Sequence, residues 1–144
     1  MHKIYIDYKR DSKEFLKEIL KEYHIDYDIF YNEYGKPYIK NNPIYFNISH
    51  SGDYIVIIIS NRECGIDIEK IRQLRNNVVN KICLDTEKKL IVDDKSFTLI
   101  WTMKEAYSKY NGMGYAYGFK NIDTTKIKIN TIYFLDYIIS YYYD

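Results

Sequence analysis

The sequence predicts an α+β fold, with helices packed on mostly antiparallel sheets. Three observations carry the prediction. Short apolar runs of strand length recur between turn residues. Two stretches carry helical periodicity with recognisable ends. The order is strand, helix, several strands, helices, then strands again, which places helices beside sheets rather than alternating with every strand.

The elements follow in order. KIYIDY (3–8) alternates and forms a first strand. DSKEFLKEILKEY (11–23) is an amphipathic helix with Phe15, Leu16, Ile19, Leu20 and Tyr23 as its apolar stripe, and Asp11 with Glu14 resembles a capping box. YDIFYNEYGKPYI holds a short strand and a turn at Gly35-Lys36-Pro37. IYFNIS (44–49) and YIVIIIS (54–60) are strands joined by His50-Ser51-Gly52-Asp53, which has hairpin chemistry. The second of them is apolar on both faces, so it is a central strand. GIDIE follows the short turn Asn61-Arg62-Glu63. Residues 70–95 are polar and irregular, with short helices near 76–84 and 86–92. SFTLIWTMKEAYSKY is a longer helix that stops at Asn111-Gly112. The tail KIKINTIYFLDYIISYYYD gives two or three further strands. Alternation of Tyr137, Ile139, Tyr141 and Tyr143 suits a half-buried strand, or else an exposed edge that recruits a partner.

Composition excludes several classes. With 144 residues, 47% hydrophobic and 28% charged, the chain has ordinary globular composition. A formal net charge of +1 argues against nucleic acid as a partner. The longest strongly apolar run is far too short to span a bilayer, and the N-terminus MHKIYIDYKR lacks the apolar core of a secretion signal, so no membrane is expected. Two distant cysteines, Cys64 and Cys83, give no disulfide or metal framework and suit a cytoplasmic setting.

The chemistry concentrates in CGIDIEK. Asp67 and Glu69 stand at i and i+2 on a strand, about 6.6 Å apart on one face, while Ile66 and Ile68 enter the core. Two adjacent like charges call for a cation or water to relieve them. On the long helix, Trp101, Glu105 and Lys109 share one side through i, i+4, i+8 spacing. A third carboxylate, Glu105, facing the strand pair would make a set of hard oxygen ligands suited to Mg2+ or Mn2+. Lys104 and Lys109 beside it suit a polyphosphate. The plainer readings stay open at this level: a solvated helix face with a Glu105–Lys109 pair, and a sheet-edge strand with a wet polar face.

The ordered series EYGKPYI, FNISHSGDYIVIIIS, GIDIEKI and WTMKEAYSKYNGMGY resembles the 4'-phosphopantetheinyl transferases, specifically the broad-specificity type that activates nonribosomal peptide synthetases. The resemblance covers residues 33 to about 118. It implies that family's fold: one domain over 1–144 made of two similar small lobes of antiparallel sheet with packed helices, about 1–65 and 66–144. It also implies transfer of 4'-phosphopantetheine from coenzyme A to a serine hydroxyl of an apo acyl or peptidyl carrier protein, releasing adenosine 3',5'-bisphosphate. By the same resemblance Asp67, Glu69 and Glu105 are magnesium ligands, with Mn2+ as the alternative; the serine proton must go to a base, for which Glu105 is the candidate, directly or through a metal-bound water. Lys109 reaches the pyrophosphate of coenzyme A, and Lys104 matches the other lysine of its motif. Ser49, His50 and Lys36 match residues at the nucleotide 3'-phosphate, while Trp101 is a core aromatic that seats the helix.

The 32 residues ahead of EYGKP are fewer than the broad-specificity pattern carries, so Lys9, Arg10 and Lys13 are the candidates to replace its basic clamp. Arg72, Lys81, Lys88 and Lys89 are candidates for carrier docking. A monomer or a small homo-oligomer is compatible with the chain. The competing readings are a degenerate member that binds coenzyme A or carrier without transfer, and a phosphohydrolase of small nucleotides.

Overall fold

The protein is described from a computed structural model covering residues 1–41 and 44–144. Its elements are strand β1 (His2–Tyr8), helix α1 (Ser12–Glu22), strands β2 (Ile29–Tyr31), β3 (Pro37–Ile39), β4 (Tyr45–Ser51), β5 (Tyr54–Ser60) and β6 (Cys64–Lys70), helices α2 (Asn76–Ile82), α3 (Asp85–Lys88) and α4 (Asp94–Asn111), and strands β7 (Asn130–Phe134) and β8 (Tyr137–Tyr143). The strands form a three-stranded sheet ordered β1-β5-β4, a β2-β3 hairpin, and a three-stranded sheet ordered β6-β8-β7. Every pairing is antiparallel. The predicted α+β class is what the chain adopts. Among the described residues, no helix is long and apolar enough to cross a membrane.

The isoleucine run of β5 makes this layering possible. Its odd positions Ile55, Ile57 and Ile59 pack under Phe15, Leu16, Ile19 and Leu20 of α1. Its even positions Val56 and Ile58 pack against Cys64, Ile66 and Ile68 of β6 and Tyr137 and Ile139 of β8. A strand alternates its side chains between faces, so only a strand apolar at every position can serve two cores. Asp11 caps α1 as its sequence suggests, accepting from the Glu14 N–H at 2.9 Å.

Helix α4 begins earlier than its apolar pattern indicates. The Asp93 carboxylate accepts from the Ser96 N–H at 2.8 Å, and Ser96 Oγ accepts from the Asp93 N–H at 3.1 Å, which closes a capping box ahead of the first periodic residue. At the other end Gly112 takes a left-handed conformation, φ 76°, and its N–H donates to the Ser108 carbonyl at 3.1 Å.

The C-terminal strand departs from one of its two expected forms. β8 lies between β6 and β7, so both of its edges are occupied, and Tyr137 through Ser140 are buried. An exposed Tyr-rich edge is therefore excluded for β8; the outer strands of this sheet are β6 and β7.

β6 gives Cys64, Ile66 and Ile68 to the second core, and α4 crosses its other face at Gly65. A Cβ there would run into the backbone oxygen of Ala106 and the backbone nitrogen of Tyr110. Glycine is required because helix backbone occupies the space of a side chain. Gly65→Ala is expected to lower unfolding free energy by about 1–3 kcal/mol, the usual cost of overpacking a filled interior, as read by urea denaturation. An unchanged midpoint would contradict this packing.

Candidate active site

The close approach at Gly65 brings two elements of the chemical pattern together. Asp67 and Glu69 lie on the α4 side of β6, and Glu105 and Lys109 lie on the strand side of α4. Lys109 Nζ is 3.0 Å from Asp67 Oδ1. The same oxygen accepts from Ser49 Oγ at 3.1 Å. Glu69 Oε1 accepts from the Trp101 indole N–H at 3.2 Å. The Arg72 guanidinium lies 5.0 Å from the centre of the Trp101 ring, and Phe119 meets that ring edge-on. Glu105 and Lys109 open onto a cleft of about 240 Å3 whose walls include Tyr34, Pro37, Ile48 and Phe119.

Asp67 is 4% exposed, yet its Oδ2 has no hydrogen-bond partner among the described residues. Burial pushes its carboxyl up to about 7; the Lys109 ammonium opposes the rise, while Glu69 and Glu105 add to it. Glu105 is also raised, chiefly by burial, with Lys109 opposing and Glu69 adding. The three carboxylates thus lie within electrostatic reach of one another. Among the described residues, however, no three His, Cys, Asp or Glu side chains are already drawn together as a metal site. Their chemistry still fits a hard divalent cation: an orphaned carboxylate oxygen in the interior, two neighbouring carboxylates, and repulsion that positive charge would relieve.

The other predicted site residues divide. His50 is exposed on β4. The ammonium of Lys36 is turned inward, 2.5 Å from Glu63 Oε1, 2.9 Å from the Cys64 carbonyl and 3.1 Å from the Tyr110 carbonyl, so only its stem contributes to the cleft. Lys104 is fully buried, 2.7 Å from Glu87 Oε1 and donating to the carbonyls of Phe119 and Ile122 at 2.8 and 2.7 Å. Glu87 is satisfied in turn by the Leu84 N–H and by both the N–H and the hydroxyl of Thr124. Each ammonium already has three acceptors, its full donor capacity. Both lysines depart from the expected phosphate contact for that reason: they brace the walls of the cleft. Ser49 faces β6 rather than the cleft. Arg10, a candidate for a basic clamp, is paired with Asp7 and Glu18.

The sequence pattern did not single out Trp101 as a partner of Glu69, although its i, i+4 relation to Glu105 signals the shared side. It offered no signal for Glu87, which lies in the irregular tract.

Comparison with known proteins bears on this region. A family profile described as the 4'-phosphopantetheinyl transferase superfamily matches residues 63–142, which carry Asp67, Glu69, Glu105 and Lys109. The 4'-phosphopantetheinyl transferase gsp of Aneurinibacillus migulanus is 39% identical over 89 residues, 58% of this chain and 37% of that protein. The 4'-phosphopantetheinyl transferase Sfp of Bacillus subtilis (strain 168) is 37% identical over 89 residues, 57% of this chain and 40% of that protein. The 4'-phosphopantetheinyl transferase AcpT of Escherichia coli (strain K12) is 38% identical over 103 residues, 65% of this chain and 52% of that protein. The matched stretch thus spans between 37% and 52% of the length of these relatives.

Two outcomes are expected. A carboxyl whose folded pKa lies above its unfolded value binds more protons in the folded chain, so stability is present at low pH and is lost as pH rises from the ordinary value of 3.8 through about 7. Without divalent cation, the melting temperature should fall across that window, and Asp67→Asn should flatten the fall; an identical slope in the variant would refute the assignment. Lys104→Ala leaves Glu87 as a buried unpaired charge and should cost about 3–5 kcal/mol in denaturant titrations, whereas Lys104→Met with Glu87→Leu should cost much less.

Proposed function

The chain belongs to the 4'-phosphopantetheinyl transferase superfamily, and on that premise we propose that it transfers 4'-phosphopantetheine from coenzyme A to a serine hydroxyl of an apo acyl or peptidyl carrier protein in the cytoplasm, with adenosine 3',5'-bisphosphate as the second product. The observation that carries the proposal is the meeting of Asp67 from β6 with Lys109 from α4 at the mouth of a cleft, beside Glu69 and Glu105.

Asp67, Glu69 and Glu105 would hold a divalent cation, Mg2+ or Mn2+, whose contribution when bound is to neutralise charge on the pyrophosphate. Glu105 is the general base. Burial raises its half-buried carboxyl above the ordinary glutamate range, which makes it a stronger proton acceptor for the attacking serine than a free carboxylate. The bond formed joins the serine oxygen to the phosphorus that carries pantetheine; the bond broken is the phosphoanhydride linking that phosphorus to the adenosine bisphosphate. Lys109, half-buried on the wall of the cleft beside Asp67, would stabilise the charge gathering on the leaving phosphate. His50, exposed on β4, is the available contact for the nucleotide's 3'-phosphate. Tyr34, Pro37 and Phe119 supply a partly apolar wall that shields the reacting groups from water.

The test is intact-mass spectrometry of apo acyl and peptidyl carrier proteins incubated with the protein, coenzyme A and Mg2+. One phosphopantetheine should appear on the carrier serine. Glu105→Ala is expected to slow its appearance by about 100-fold or more, and Lys109→Met by a similar factor. No added mass on any carrier, with coenzyme A still bound, would replace this reading with that of a binder that does not transfer.

A further inference from the structure

The spacing of polar residues on β4 has a consequence for the metal ligands. Asn47, Ser49 and Ser51 alternate on one face of that strand, and each accepts from a backbone N–H on the unpaired side of β6. The Ile66 N–H donates to Asn47 Oδ1 at 2.9 Å, the Ile68 N–H to Ser49 Oγ at 3.1 Å, and the Lys70 N–H to Ser51 Oγ at 3.1 Å. The three bonds keep one register, so side chains of β4 stand in for a missing neighbour strand.

Ser49 alone among the three also touches a carboxylate. Ser49 is 6% exposed; its hydroxyl accepts from the Ile68 N–H and donates to Asp67 Oδ1, both at 3.1 Å. A hydroxyl has one proton to give. Here it is committed to Asp67, so Ser49 has no proton left for a phosphate of coenzyme A. Lys109 binds the same Oδ1, which leaves Oδ2 as the oxygen with no hydrogen-bond partner among the described residues.

We propose that Ser49 is a positioning residue for Asp67: by fixing Oδ1 against the backbone of β6, it presents Oδ2 to a divalent cation. The inference rests on the transferase reading and its three carboxylates, and goes beyond it by taking Ser49 out of nucleotide recognition. The anchor is strong because the donor of Ile68, one residue past Asp67, fixes the serine oxygen relative to the ligand strand itself. A partner that orients a metal-binding carboxylate is commonly worth 10–100-fold in metal affinity.

The experiment compares wild type, Ser49→Ala and Ser51→Ala. Both variants remove one hydroxyl acceptor of the same ladder, but only the first removes a donor to a carboxylate. Mn2+ binding is measured by electron paramagnetic resonance without coenzyme A, and coenzyme A binding by calorimetry without metal. Ser49→Ala should weaken Mn2+ by about 10–100-fold, Ser51→Ala should leave it near wild type, and neither should weaken metal-free coenzyme A binding. Ser49→Thr keeps the hydroxyl and should restore Mn2+ affinity. If the alanine variant does not fold, Ser49→Cys, with a weaker donor of similar size, should show the same loss in smaller measure.

Unaltered Mn2+ binding in Ser49→Ala overturns the proposal and leaves the transferase reading standing. So does an equal loss in Ser51→Ala, which would mark a general effect of the ladder. Loss of metal-free coenzyme A affinity in Ser49→Ala would return Ser49 to the phosphate. A wild type that takes up no Mn2+ overturns both the proposal and the metal on which the transferase reading relies.

Discussion

The fold depends on how the open edge of β6 is satisfied. A strand paired on one side only leaves a row of backbone donors, and buried donors must find acceptors. β6 is paired by β8 on one side, and on the other it meets Asn47, Ser49 and Ser51. That contact adds a hydrogen-bonded seam to two sheets already packed through Val56, Ile58, Ile66 and Ile68, and it fixes the depth at which Asp67 and Glu69 lie. It also leaves the face of Gly65 free for α4, so the helix comes close enough for Lys109 to reach Asp67. Moving β6 by one residue would turn Asp67 and Glu69 into the apolar core and Ile66 and Ile68 toward the helix.

Much of this was legible in the residues. The double-faced run of β5, the Asp11 cap, the hairpin at 50–53 and the Gly112 stop each have a local cause, and local causes can be read from the chain. GIDIE and KEAYSK were legible as halves of one site because periodicity puts their charged members on single faces. The earlier start of α4 was missed because Asp93 and Ser96 cap it before any apolar residue announces it. The position of β8 as a central strand was missed because half-buried alternation looks alike on edge and central strands; only the pairing decides.

The lysines show a different limit. Lys36, Lys104 and Lys109 are indistinguishable by residue type, and all three fall in motifs that suggest anion binding. Their surroundings separate them. Lys36 and Lys104 each have a carboxylate and two backbone carbonyls, the carboxylate fully buried in the case of Lys104, whereas Lys109 shares one carboxylate oxygen at the mouth of the cleft. The acceptors come from segments far along the chain: Glu63 and Tyr110 for Lys36, and Glu87, Phe119 and Ile122 for Lys104. No pattern within the motif encodes such partners. A buried ion pair of this kind contributes little net stability, but it penalises every arrangement that separates the pair. Here that penalty holds the hairpin of β2 and β3 and the segment 119–124 in place as walls.

The β4–β6 ladder also bears on how the chain assembles. Its partners are 19 residues apart in sequence, whereas β1 joins β5 across 46 to 58 residues and β8 joins β6 across 67 to 79. Loop-closure entropy rises by roughly 0.6 kcal/mol for each doubling of length, so the ladder is cheaper to close than the β6–β8 pairing by about 1 kcal/mol. The segment 45–70 can therefore gather its three strands with the least ordering of chain, and the two ends are the costly additions. By this measure the strand that carries the acidic pair meets its serine partners at a lower closure entropy than it meets β8, and the terminal strands carry the larger ordering cost.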